Sequence, residues 1–476
     1  MAAPTSEARA HSGPSYTTLL DFTHLGPLTR ESAVKIRTVL ALTTATALTL
    51  GLSACGGGGG GDTTSASPGA AAGGSTLTYW ASNQGTSLDD DKKQLTPVLD
   101  AFQKQTGIKV NLEVIGWNDL QTRIQTAVTS GQGPDVVNIG NTWAASLQAT
   151  GAFLPFDAKA MEAIGGKDKF VETALKTGGK EGEDPTSVPL YGLAYGLYYN
   201  KAMFKAAGLT PPTTWEEMVA DAKKLTNPST NVYGMSLAAG SYTENNHFAF
   251  INSQQNGGNF FDASGQPTFD TDANVQGIVR YLDLMQTHKV VNPSNAQYDN
   301  GTKSVADFSA KKAAMIINQN NADASIIANG MKADEYGVVP FPAPADAKNN
   351  TASHVAGINL SVFKNTKNQD AALKFVKFMT DASTQKTLGK PFSSLPVLKG
   401  ETPVFTENAE EAKTFQEIYN TRSAPLPLVP AEDQFESTVG KAMNAMFAKI
   451  ASGGTVSAAD VKAAMKDAQD QVAASS

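Results

Sequence analysis

From Thr76 onward the chain alternates strand-length apolar runs with amphipathic helical stripes, which restricts it to an α/β architecture in which helices cover a sheet. Leu77-Thr78-Tyr79-Trp80 opens a first strand. Leu95, Val98, Leu99 and Phe102 then recur at helical spacing, with Gly107 placed to cap that helix. Ile108, Val110, Leu112 and Val114 alternate with polar residues as a second strand. A polar-faced helix over about Asn118 to Ser130 and a strand over Asp135 to Ile139 complete a β-α-β-α-β opening. Farther on, Trp215, Met218, Val219, Ala222 and Leu225 form a second clear stripe, introduced by Thr214 and Glu217 at capping-box spacing. Ala313 to Ile317 reads as a buried strand, and Ala372, Phe375, Val376 and Met379 as another helical stripe. The tail from Phe435 to Ala474 is helical except at Ser452-Gly453-Gly454. No fixed-period repeat occurs, which sets solenoids and propellers aside.

The segment before Thr76 has a different character. Lys35 and Arg37 precede the uncharged run from Thr38 to Leu52, a positive flank followed by an apolar stretch too short for a permanent membrane span. It reads as a signal peptide over 34–54. Residues 1–33 are polar, hold Pro14 and Pro27, and are expected to be an extension from a misplaced start, with Val34 as the true initiator. Leu52-Ser53-Ala54-Cys55 resembles the lipobox of bacterial lipoproteins, so cleavage before Cys55 and lipidation of its thiol are expected. Six glycines follow that single Cys, and 55–75 reads as a flexible tether. Twenty such residues reach about 25 Å.

Composition narrows the function. With 38 Lys+Arg against 45 Asp+Glu the chain lacks the basic surface that nucleic acid requires. One Cys excludes a disulfide framework and a multi-thiolate metal site. No Gly-x-Ser-x-Gly, His-Glu-x-x-His or phosphate-loop pattern is present, and Glu216-Glu217, Asp89 to Asp91 and Glu410-Glu411 fit helix N-termini or surface. No enzyme activity, cofactor or metal is therefore expected.

Several segments, in order, resemble the extracytoplasmic solute-binding proteins of ABC importers, in the group that includes maltose- and other sugar-binding proteins. Gly131-Gln132-Gly133-Pro134-Asp135-Val136-Val137 is similar to that family's Gly-x-x-Pro-Asp segment and is followed by Trp143 and Gly151-Ala152-Phe153-Leu154-Pro155. Tyr198 to Phe204, Gly208-Leu209 and Pro211 to Glu217 resemble its most recognisable block. Phe308 to Met315 resembles its Phe-x-x-Gly-Lys-Ala-Ala-Met segment, with Ala310 in place of Gly. Gly357-Ile358-Asn359-Leu360 and Gly453-Gly454 complete the set. The resemblance implies a two-lobed, type II periplasmic-binding-protein-like fold: one lobe over 76–190 and 355–410, the other over 195–350 and 412–476, with hinge crossings between. It also implies a monomer outside the cytoplasm that hands a small neutral polar ligand to ABC permease subunits, held to the membrane through Cys55.

Ligand-binding groups are expected in loops at the carboxyl ends of strands. The candidates are Trp80, Asn83 and Gln84 after the first strand, Asn141, Thr142 and Trp143 after the third, and Tyr195 and Gly357 at the crossings. Asn246 and His247, from a segment read as lying between helices, Asn318 and Asn320 after the Met-Ile-Ile strand, and Phe435 at the final helix complete them. Trp117 and Trp215 sit on amphipathic faces and read as core. His247 and His354 read as loop residues. Where many relatives carry a Gly and a sugar-stacking aromatic, this chain has Asn318-Gln319-Asn320-Asn321, which favours a mono- or disaccharide or polyol over a long maltodextrin. Two other readings stay open: a surface sensor or adhesin with the same binding fold, and a secreted carbohydrate-active enzyme, which would need a carboxylate pair.

Overall fold

The computed structural model describes residues 76–406 and 408–475. The leader, Cys55 and the tether lie outside the described residues. Among the described residues are a five-stranded sheet, a four-stranded sheet and a short two-stranded pair, and the chain passes between the two larger sheets more than once.

Strands β1 (Thr76–Ser82), β2 (Lys109–Ile115) and β3 (Val136–Gly140) are parallel, as the β-α-β-α-β reading requires. Leu77, Tyr79 and Ala81 of β1 point into the core. The intervening helix Leu88–Thr106 is opened by Ser87, whose hydroxyl accepts from the Asp90 amide, and buries Leu95, Val98, Leu99 and Phe102. It stops at Gly107, whose φ of 74° suits a residue without a Cβ. β4 (Ser187–Leu193) leads through the single residue Ala194 into β5 (Tyr195–Asn200), which belongs to the other sheet.

The second sheet adds β6 (Tyr233–Ser236), β7 (Ala313–Gln319) and β8 (Tyr336–Val339) in the order β6-β7-β5-β8, with β5 antiparallel to both neighbours. A short parallel pair, β9 (Ser353–His354) with β11 (Ser423–Ala424), sits where the chain returns. The chain then enters β10 (Ala356–Val362), which pairs antiparallel with β3 and β4 and completes the order β2-β1-β3-β10-β4. The return at 353–357 and the passage at Ala194 therefore lie side by side. Helix Ala409–Thr421 runs straight through the expected boundary at 410–412. Asn408 caps it, with its side-chain oxygen accepting from the Glu410 and Glu411 amides, so the turn comes before residue 409.

The core follows this layering. One continuous cluster joins the inner faces of both sheets to the helices that cover them, including Phe102, Tyr195, Phe248, Phe375 and Phe435. A smaller cluster of Ile124, Val137, Ile139, Trp143, Phe153 and Phe363 lies on the other face of the first sheet.

Candidate functional site

The ends of the two sheets enclose a cavity of about 330 Å³. From the first half it is walled by Gln84, Trp117, the 3-10 turn Asn141–Trp143, and Gly357-Ile358. From the second half come Tyr195, the first turns of helix Tyr242–Gln255, Gln319, Asn321 and Glu436, with His354 beside the return strand. It opens into a more polar compartment of about 350 Å³ that shares Gln84, Trp117, Glu244 and Asp299 and adds Asn83, Asp119, Asn300 and Asn318.

The loop after β1 is held rigidly. The buried Asp91 carboxylate accepts from Asn83 Nδ2 (2.6 Å), the Gln84 amide (2.7 Å) and the Gly85 amide (2.6 Å). Trp117 Nε1 donates to the Asn83 carbonyl at 2.6 Å, and its ring meets Trp143 edge-on at 5.6 Å. Hydrogen bonds also cross the cleft. Thr142 Oγ1 and Trp143 Nε1 both donate to Glu436 Oε2, at 3.1 and 3.2 Å, and Tyr242 donates to Gln121 Oε1 at 3.3 Å.

Burial sets the charges of this wall. It lowers His247 to about 3 and pushes His354 well below the usual imidazole range, so both rings are neutral at pH 7. Their centroids lie 4.1 Å apart, and His247 Nδ1 shares a proton with the Tyr195 hydroxyl at 2.9 Å. His247 Nε2 and both His354 nitrogens have no protein hydrogen-bond partner. Desolvation raises Glu436 and Glu244 to about 7, the former despite its bonds from Thr142 and Trp143. Polar atoms buried without partners are costly. Here the residues that carry them, His247 and His354, line the cavity.

Of the residues singled out by sequence, Gln84, Asn141, Thr142, Trp143, Tyr195, His247 and Gly357 line the inner compartment, and Asn83 and Asn318 the outer one. Four others stand away from both walls. Trp80 is two residues short of the end of β1, and the Arg123 guanidinium covers its ring at 4.5 Å. Asn320 is a structural clamp: it accepts from the Ala194 amide at 2.7 Å and donates to the Ser393 carbonyl. Asn246 is fully buried in its helix, and Phe435 packs among Phe260, Phe261 and Phe269. Two further readings are corrected. His247 lies in helix Tyr242–Gln255 and His354 in β9, neither in a loop, and Trp117, packed half-buried against the core, also borders the cavity.

A wider hollow of about 1080 Å³ lies elsewhere, lined mostly by residues 156–185. None of its lining groups is a buried polar atom without a partner, so it lacks the signature that the cleft shows.

Comparison with known proteins agrees with this architecture. The chain is 24% identical over 382 residues to a binding protein of Brucella abortus, covering 78% of this chain and 87% of that one. Its fold is that of an ABC transporter solute-binding protein of Thermotoga lettingae bound with α-D-tagatose (TM-score 0.72, 21% identity, 84% of this chain and 98% of that one). A solute-binding protein of Agrobacterium vitis with bound D-mannitol is similar (TM-score 0.68, 24% identity, 84% and 98%). Residues 85–386 match the family described as bacterial extracellular solute-binding protein, and the chain belongs to that family.

Proposed function

We propose that this protein captures a small hydroxylated solute, a sugar or polyol, between two lobes and delivers it to the permease of an ABC importer. The observation that carries the reading is the cavity itself: indole rings, neutral imidazoles and carboxyls line it from both halves of the chain. Aromatic faces suit the apolar faces of a sugar, and neutral imidazoles offer both a donor and an acceptor to hydroxyls. The tagatose- and mannitol-bound relatives support the same solute class. In this reading the two sheets are the cores of lobes that hinge near Ala194 and residues 353–357, and the cross-cleft bonds to Glu436 belong to the closed state. Cys55 carries a lipid anchor, and 55–75 tethers the body to the outer face of the membrane.

A thermal-shift screen of the purified protein against sugars and polyols tests this. A solute bound only by the folded form at a hundred times its Kd adds about 2.7 kcal/mol and raises Tm. The expected result is a clear rise for at least one sugar or polyol, lost in Trp117→Ala. No rise across the screen would reject the sugar and polyol class.

A further inference from the structure

The charge of the cleft wall says more about the solute than its shape does. Four carboxyl groups line the two compartments: Asp119, Glu244, Asp299 and Glu436. Neither compartment has a lysine or arginine in its wall among the described residues. The two histidines there are held neutral by burial. Among the described residues, the one cation paired with these acids is Lys303, 3.2 Å from Asp299 on the exposed rim. The acids are therefore left largely without counter-charge where a solute would sit.

A second observation concerns Gln84, which stands among them. Gln84 is only 6% exposed and stands in the wall of both compartments, and its Oε1 accepts from no protein group. That oxygen can only accept, so it calls for a donor. An ammonium group offers three donors and a positive charge and no acceptor. The compartments also differ in character. Indole and tyrosine rings concentrate in the inner one, whereas amides and hydroxyls dominate the outer one, which shares Glu244 and Asp299 with the inner one and adds Asp119.

We infer that the solute carries a protonated amine: the inner compartment takes a sugar ring, and the outer one takes an ammonium-bearing portion beside Asp119, Glu244 and the Gln84 carbonyl. This rests on the sugar reading above and narrows it to amino sugars. It departs from the neutral ligand expected from sequence. Sugar acids and sugar phosphates would be excluded by the same wall.

Calorimetry with matched pairs tests it at pH 7 and low salt: glucosamine and glucose, galactosamine and galactose, and the β-1,4-linked glucosamine dimer with cellobiose. In at least one pair the amine is expected to bind tenfold or more tighter than its neutral partner. Asp119→Asn, an exposed change that the fold tolerates, should reduce that ratio to threefold or less, as should Glu244→Gln. Equal or tighter binding of the neutral sugar in every pair that binds would overturn the inference and leave the sugar reading standing. Binding of no member, neutral or amine, would overturn both.

Discussion

Glu436 and His247 face each other across 3.8 Å, and burial acts on them in opposite senses. The carboxyl, raised to about 7, favours the fold when protonated, so its contribution is full at acid pH and is lost as pH climbs through 7. The imidazole, lowered from 6.5 to about 3, favours the fold when neutral. Its contribution is full above 6.5 and is lost as pH falls toward 3. Between pH 7 and 5 each amounts to about 2 kcal/mol, with opposite signs, so in the parent protein they offset. Glu436→Gln keeps an acceptor for Thr142 and Trp143 but removes one side of this balance. On passing from pH 7 to 5 it should lose about 2 kcal/mol relative to the parent in urea titrations, whereas His247→Gln should gain about as much. Parallel pH profiles for all three proteins would show that these groups titrate as in the unfolded chain. Of this pair, His247 was singled out in sequence and Glu436 was not. Glu436 and Glu244 stand in the first two turns of helices, where a carboxylate ordinarily complements the backbone dipole, and nothing local distinguishes such a residue from one that faces a cavity.

Elements were legible wherever apolar residues fell on one face. The helix Leu88–Thr106 with its Gly107 cap, the Thr214–Glu217 capping box and β7 are all visible in spacing alone. Helix Tyr242–Gln255 was not, because Asn245, Asn246, His247, Asn252 and Gln255 are buried beside Phe248, Phe250 and Ile251, leaving no polar face to mark its period. The same helix shows how the cavity is held in shape. Helix Glu432–Ala451 crosses it at Gly440, where an added Cβ would stand 2.0 Å from the Tyr242 carbonyl oxygen. Gly440→Ala gains helix propensity of about 1 kcal/mol but forces two backbones apart, and overpacking of this kind costs about 1–3 kcal/mol. We expect a net loss of stability of up to about 2 kcal/mol, measured by urea denaturation, with weaker solute binding because Glu436 lies one turn away. A variant as stable as the parent would mean that the two helices separate freely.

At the scale of the whole molecule, the α/β class followed from the alternation of elements and the two-lobed plan from the family resemblance, while the walls of the cleft followed from neither. Asn83 and Glu436 stand more than three hundred positions apart in the chain, and only the return through β9 and β10 brings their surroundings together. No local pattern encodes that meeting, which is why strand ends pointed to Gln84 and Asn141 but also to Trp80. The order of assembly follows from it. A pocket whose pieces come from both ends of the chain is absent until the last helices dock, so a solute has nothing to grip while folding is under way. It should therefore act as a brake on opening and not as a template for closing: saturating solute should slow unfolding in stopped-flow mixing and leave the refolding rate in water unchanged within twofold. Refolding accelerated in proportion to affinity would mean that the pocket forms early, before the helix that carries Glu436 has joined it.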